Sequence, residues 1–473
     1  MLFPNRCEAA FRVSELMEAD TVIGAIDRRR FLSNSAKGVL GISAGTAALA
    51  LTKPTRRVYA NDKVILGAIG LGGRGASLIT GFAKRRDVEI AYVCDVDSSR
   101  GNDLSGKLAP TQSRPPRRVS DFHRILDEKD VDAIVIATPD HWHGLPTVLA
   151  CQAGKDVYVE KPPSHNVWEG RKMVEAARKY KRIVQVGTQS RSAPYILKAL
   201  QYIRDGSLGK IPLCKVYNLK SGSFHREPPD SEQPAGVDYD MWLGPAPKRP
   251  FNRAHFHGGW HAYWAYSGGD MADDGVHQLD IARWLVGKDY PKGVHCSGGN
   301  LAFEDDREVP DTQVVTYDFD DLVMTFELTQ YARYMSKTPG DIRTGDKYPY
   351  WPQNATRIEL YGTKGLMVMG RHGGGWQVFT RDGEVVAEEY GRFPDDPHKE
   401  NFIQCVRNRT LPNADIEEGH RSALLVHLGN ISYRCGGRKL SFDSTRETLV
   451  GDEEANALLK RTYRAPYLIP DVV

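Results

Sequence analysis

The sequence predicts an α/β protein, in which a doubly wound parallel sheet is followed by an α+β part with a large, mostly antiparallel sheet. Three observations carry this. An apolar strand runs into a glycine-rich turn and a helix just after Lys63, strand and helix patterns alternate from there to residue 187, and strand-like runs dominate afterwards. Alternation implies crossover helices and parallel strands, while clustered strands joined by turns imply antiparallel pairing.

The elements follow in order. Val64 to Ile69 reads as a buried strand leading into Gly70-x-Gly72-x-x-Gly75, with an amphipathic helix over 76–84 and a second strand over 88–95. Then come a helix over 99–108, a basic proline-containing loop at 114–118, a short helix over 122–126 and a strand over 132–138. A helix over 144–153, a strand over 156–160, a helix over 167–180 and a strand over 183–186 complete the first domain, placed at 61–187. In the second domain, 188–473, strands are predicted over 213–220, 314–319, 323–328, 357–361, 365–369 and 376–380, with a hairpin turn at Gly362-Thr-Lys-Gly365. Helices are expected near 273–286, 398–406 and 417–433, and the Pro-, Gly- and Tyr-rich stretch 331–356 reads as a long loop able to cover a site.

The glycine spacing carries chemistry. Gly70 permits a tight turn, Gly72 lets the loop amides, with Gly73 and Arg74 beside it, approach a pyrophosphate, and Gly75 allows the helix to pack closely on the strand. The helix N-terminus then faces the phosphates with its positive end. Asp95, at the end of the second strand, would accept hydrogen bonds from ribose hydroxyls and repel a 2′-phosphate, so NAD is favoured. Arg100 nearby leaves NADP open. This is a Rossmann-type dinucleotide fingerprint.

The first sixty residues read differently. Asp27-Arg28-Arg29-Arg30-Phe31-Leu32, a mildly apolar run from Gly38 to Leu51 and Val58-Tyr59-Ala60 look like a twin-arginine export signal cut after Ala60, which predicts a periplasmic or otherwise exported protein. The run is too short to span a bilayer comfortably, so no stable membrane insertion is expected. Of 63 Lys/Arg and 60 Asp/Glu, 54 and 55 lie beyond residue 60, leaving a net charge of −1 that gives no electrostatic reason to bind nucleic acid. The seven cysteines form no C-x-x-C and read as buried thiols rather than as disulfides or a zinc site.

Several separated motifs together resemble the glucose-fructose oxidoreductase / inositol dehydrogenase (Gfo/Idh/MocA) family. They are the fingerprint, Ala137-Thr138-Pro139 with His143, and Ala153-Gly-Lys-Asp-Val-Tyr-Val-Glu160-Lys161-Pro162 in the first domain. In the second they are Gly268-Gly269, Asp273-x-x-x-His277, His398-x-x-Asn401-Phe402 and His427-Leu-Gly-Asn-Ile431. The resemblance implies NAD(P)-dependent oxidation of a sugar or polyol hydroxyl in a homo-oligomer, with Thr138, Pro139, His143, Glu160 and Lys161 at the cofactor. It further implies that Lys161 contacts nicotinamide ribose and substrate, that the Lys161-Pro162 peptide is cis, that His277 is the general base and that Asp273 orients it.

Helical spacing puts Asp273, His277 and Asp280 on one face, where Asp280 holds either a second substrate hydroxyl or a buried hydrogen bond. Arg191 faces either the cleft or an interdomain ion pair, and the aromatic stretch 251–266 with Trp260 suits either a sugar ring or core packing. His255, His257 and His261 lack an acid or Cys to complete a metal set, and no metal is expected. An exported protein has no free NAD pool, so a tightly held cofactor must be reset within each cycle. The rival reading is a redox-neutral, NAD-dependent glycoside hydrolase working through a transient keto sugar; the intact Glu160-Lys161-Pro162 favours the dehydrogenase.

Overall fold

The computed structural model describes residues 63–473, so the export-signal reading of 1–60 lies outside the described residues. The first sheet contains β1 (Val64–Ile69), β2 (Val88–Cys94), β3 (Arg117–Val119), β4 (Ala133–Ile136), β5 (Asp156–Val159) and β6 (Val184–Val186), all parallel, in the order β3-β2-β1-β4-β5-β6. This is the doubly wound order whose direction reverses beside β1, the place where such sheets bind ligands. Burial explains the unbroken apolar runs of the central strands: helices cover both faces, so every residue of β2, β4 and β5 is buried.

The second sheet has ten strands. Its members are β7 (Leu213–Leu219), β8 (Gly293–Gly299), β9 (Thr312–Asp318), β10 (Val323–Thr329), β11 (Arg357–Gly362), β12 (Gly365–Gly370), β13 (Trp376–Phe379), β14 (Val385–Glu389), β15 (Leu440–Asp443) and β16 (Thr448–Leu449). Their order is β14-β13-β12-β11-β7-β10-β9-β8-β15-β16, antiparallel except for the β7–β10 pair. Here burial alternates: Val315, Tyr317, Met324 and Phe326 point into a core with Leu279 and Leu424 from the helices Val276–Leu285 and Ile416–Arg434. A sheet covered on one side reads as alternation, which is why these strands were visible in the sequence.

Some elements were not expected. β3 lies in the predicted basic loop, and β8, β14, β15 and the helix Pro194–Arg204 were not read. β3 and β14 are short and mostly exposed, and β8 is Gly-Val-His-Cys-Ser-Gly-Gly, so none carries a clear apolar period. Two late segments return to the first sheet. The helix Asp395–Asn408 brings Phe402 and Ile403 into the core around Leu66, Phe82 and Tyr158, and Ile469 and Val473 join the core around Val148 and Val157. A division near residue 187 therefore separates the sheets but not their cores.

Candidate active site

The glycine turn has the geometry that its residue types permit. Gly70 takes φ +84°, and a Cβ there would lie 2.7 Å from the Ala137 carbonyl and the Thr138 nitrogen. A Cβ on Gly75 would lie 2.0 Å from the Gly70 oxygen, so the helix Gly73–Ala83 can sit this close to the turn only without one. At Gly73 nothing lies within 4 Å of that position. The loop therefore presents bare backbone to an open cleft of about 300 Å³, whose lining includes Gly70, Gly72, Gly73, Arg74, Asp95, Thr138, Pro139, His143, Glu160, Lys161, Trp260 and Asp273. Thr138 also leaves a buried hydroxyl without a partner there. Bare loop amides, a helix N-terminus and a strand-end carboxylate fit a dinucleotide.

Asp95 accepts the amide hydrogens of Leu71 at 2.7 Å and Asp97 at 2.9 Å, so it braces the glycine turn while lining the cleft. Burial raises its pKa, and those two amides partly offset the rise. Arg100 lines the same end, 3.0 Å from the Cβ position of Gly72. Arg74 is committed to an ion pair with Glu160 at 2.7 Å and another with Asp395 at 3.1 Å. His143 lies between two backbone oxygens, Nδ1 2.6 Å from Pro162 O and Nε2 2.9 Å from Thr138 O, and as a neutral ring donates to one of them, at the ends of β5 and β4.

At the other end the Lys161–Pro162 peptide is cis, and the Lys161 ammonium donates to the Asp273 carboxylate and to its backbone oxygen, both at 2.6 Å. Burial alone would lower the lysine, but Asp273 and Glu160 outweigh it and raise its pKa. Burial would likewise raise Asp273, but Lys161 and His261 hold it well below the usual carboxylate range. Lys161 is therefore a fixed cation rather than a base.

Asp273 does not stand on a regular helix. Met271–Gly275 form a π-helical turn ahead of Val276–Leu285, and neighbouring carboxylates diverge from it. Asp273 turns to Lys161, while Asp274 takes Lys220 at 2.7 Å, Arg371 at 2.5 Å and Lys337. His277 is buried outside the cleft lining, and burial, Arg371 and Lys161 hold its pKa well below the ordinary value. No hydrogen bond joins His277 to Asp273 among the described residues. Arg191 and Asp280 correct the substrate-contact expectation: they pair with each other at 2.9 Å, Asp280 also accepts from Ser422 at 2.6 Å, and neither lines the cleft. Both are buried, and an unpaired charge at this depth would be costly, which accounts for the pairing.

The aromatic stretch divides between the two roles left open. Phe251, Phe256, Tyr263 and Tyr266 pack in a small core with Trp242, whereas Trp260 and His261 line the cleft. The three histidines part company: His255 meets Glu227 at 2.9 Å, His257 meets Asp97 at 2.8 Å, and His261 keeps a buried, unpartnered Nδ1 at the cleft. No group of three or more metal-ligating side chains is assembled among the described residues. The six described cysteines are free and buried, and no described helix is long and apolar enough to cross a membrane.

Sequence reasoning did not single out Asp140, Met241 or Trp242, which line the cleft. Asp140 follows Thr138-Pro139 at a strand end, a position that could have drawn notice. Met241 and Trp242 arrive from a distant segment that no local signal marks, and His257 joins them from the aromatic stretch. That segment is strapped over the β2 end: Asp238 N–H donates to Val96 O at 2.9 Å, Ser98 N–H donates to Gly236 O at 3.0 Å, and His257, at φ +63°, reaches Asp97.

Comparison with known proteins adds the following. Residues 64–188 match the description "Oxidoreductase family, NAD-binding Rossmann fold", and 219–327 with 357–469 match "Oxidoreductase family, C-terminal alpha/beta domain". A glycosyl hydrolase family 109 protein of Saccharopolyspora erythraea is 31% identical over 201 residues, 39% of this chain and 44% of that protein, so under half of that relative is spanned. The myo-inositol 2-dehydrogenase of Thermotoga maritima is 23% identical over 367 residues, 76% of this chain and 93% of that protein. The WlbA dehydrogenase from Bordetella pertussis, solved with NADH and UDP-GlcNAcA, shares the fold with a TM-score of 0.59 at 21% identity, covering 80% of this chain and 99% of that one.

Proposed function

The chain belongs to the Gfo/Idh/MocA oxidoreductase family, and from that premise we propose that it oxidises a sugar or polyol hydroxyl with tightly held NAD, NADP remaining the lesser fit. One observation carries the reading: a half-buried Lys161, its pKa raised by Asp273 and Glu160, stands at the end of β5, in the cleft that the glycine turn opens. When bound, NAD supplies the hydride acceptor. Gly72, Gly73 and the start of the helix Gly73–Ala83 would hold its pyrophosphate, Asp95 its ribose, and Thr138, Pro139 and His143 would border the nicotinamide end. Lys161 holds the substrate oxygen as negative charge develops on it, Asp273 fixes that ammonium, and the neutral His277 imidazole serves as transient proton acceptor. Trp260 offers a face to the sugar ring.

Replacing Lys161 with Ala is expected to lower turnover by about 10²–10³-fold, the usual cost of removing a charge-stabilising donor, while nucleotide binding changes little. Unchanged turnover on an active sugar would sink the assignment. The family 109 relative favours a second reading, redox-neutral glycoside hydrolysis. Release of a chromogenic aglycone without added NAD supports it, and no release across a panel of glycosides removes it. Export rests on the arginine-bearing N-terminal sequence, and a fusion of residues 1–60 that stays inside the cell would overturn it. Homo-oligomerisation is supported by exposed Val314 and Val323 on the side of the second sheet away from its helices; a monomer by light scattering would overturn it.

A further inference from the structure

Oxidising an alcohol releases a proton as well as a hydride, and most titratable groups at this cleft cannot keep one near neutral pH. Lys161 is already protonated and held so by Asp273. Asp273 is held ionised by Lys161, although burial works the other way. His277, His143 and His261 are all pushed toward the neutral form, chiefly by burial. One cleft carboxyl is differently placed.

Asp140 opens the turn Asp140–Trp142 directly after Pro139 and lines the cleft with Lys161 and Asp273. It is 3% exposed, and the Ser267 hydroxyl donates to its Oδ2 at 2.7 Å. Among the described residues no Lys, Arg or His stands within 4.0 Å of its carboxylate, in contrast to Asp273 with Lys161 at 2.6 Å. The backbone beside it is pinned across the two halves, His141 N–H donating to Tyr266 O at 3.2 Å, so its position is fixed relative to the π-helical turn that carries Asp273. Four carboxyls line the cleft: Glu160 is paired with Arg74, Asp273 with Lys161, and Asp95 accepts two backbone amides, whereas Asp140 is buried with a single hydroxyl donor, an arrangement that separates fixed anions from a proton carrier.

We propose that Asp140 is a catalytic residue of the oxidation, the carboxylate that retains the proton of the substrate hydroxyl until the cofactor is reset. This rests on the NAD-dependent reading above. In the step, the substrate C–H and O–H bonds break and a C=O bond forms; the hydride would pass to NAD when it is bound, and the proton converts the Asp140 carboxylate to the acid. In the reductive half the same proton returns to oxygen. Burial pushes the Asp140 pKa up to about 8, with Lys161 and the Ser267 hydroxyl opposing and Asp273 reinforcing the rise. The carboxyl therefore changes charge where the reaction needs it to. With NAD bound in this cleft, the positive charge of an oxidised nicotinamide would favour the ionised form, and a neutral reduced one would favour the acid.

The test needs no sugar. Full-length protein freed of nucleotide is mixed with NAD⁺ or NADH near pH 8 in weak buffer containing a pH-indicating dye. NAD⁺ binding is expected to release more protons than NADH binding, by up to about one per site from a single linked group. Asp140→Asn should abolish the difference while still binding both nucleotides; a difference that persists overturns the proposal. Should that variant fail to fold, Ser267→Ala serves, because losing the hydroxyl donor moves the pH midpoint of the difference upward, and an unmoved midpoint overturns the proposal equally. Wild-type protein that binds neither nucleotide would instead overturn the cofactor reading itself, and this one with it.

Discussion

At the scale of single residues, identical side chains take opposite roles according to what surrounds them. Asp273, half-buried, and Asp140, buried, are carboxyls of one cleft, yet the first is anchored to an ammonium and the second to a hydroxyl. The contrast has a consequence for stability. A carboxyl whose folded pKa is raised favours the folded state below its unfolded value of about 4 and loses that contribution as pH rises through about 8. Asp140→Asn should therefore stabilise the nucleotide-free protein above pH 8 and change little at pH 4, as read by denaturant midpoints; equal shifts at both values would contradict the assignment. Asp280 makes the opposite case. It is spent on Arg191 and Ser422, so Asp280→Ala should cost about 3–5 kcal/mol of stability, the range for breaking a buried pair. If folding were untouched and only KM changed, the substrate-contact expectation would be restored.

At the scale of elements, two irregular segments set the site. A regular helix from residue 273 would keep Asp273, His277 and Asp280 on one stripe, but the π-helical turn Met271–Gly275 inserts extra backbone, and Asp273 pairs with Lys161 while Asp280 pairs with Arg191. The strap at 236–257 is the other. Its backbone hydrogen bonds to Val96 and Ser98, and the His257–Asp97 contact, hold Met241 and Trp242 at the cleft. A hydrogen bond to a charged group contributes about 1.5–3 kcal/mol, so His257→Ala should speed nucleotide release by about tenfold or more. Stopped-flow displacement of bound NADH measures this, and an unchanged off-rate would free the strap of any part in retention.

For the whole molecule, the two sheets are separate but the chain does not divide cleanly between them. Phe402 meets Phe82 and Tyr158 edge-on at ring-centroid distances of 6.0 and 5.7 Å, and Ile469 and Val473 close the far side of the first core. A fragment of residues 61–187 lacks these groups and is expected to stay molten, with far-UV but no near-UV dichroism, whereas 61–473 should unfold in one transition. A native-like fragment would show the returning segments to be dispensable. The sequence by itself determined the nucleotide turn and both sheet types, because glycine geometry, buried parallel strands and one-sided antiparallel strands each leave a local period. It also marked Lys161 and Asp273, which stand beside motifs of fixed spacing. Only the tertiary structure decided that Arg191 belongs to Asp280, that His257 reaches Asp97 and that Asp140 shares a cleft with Lys161. These pairings join residues far apart in the chain, and burial, which sets their charge, is a property of everything packed around them.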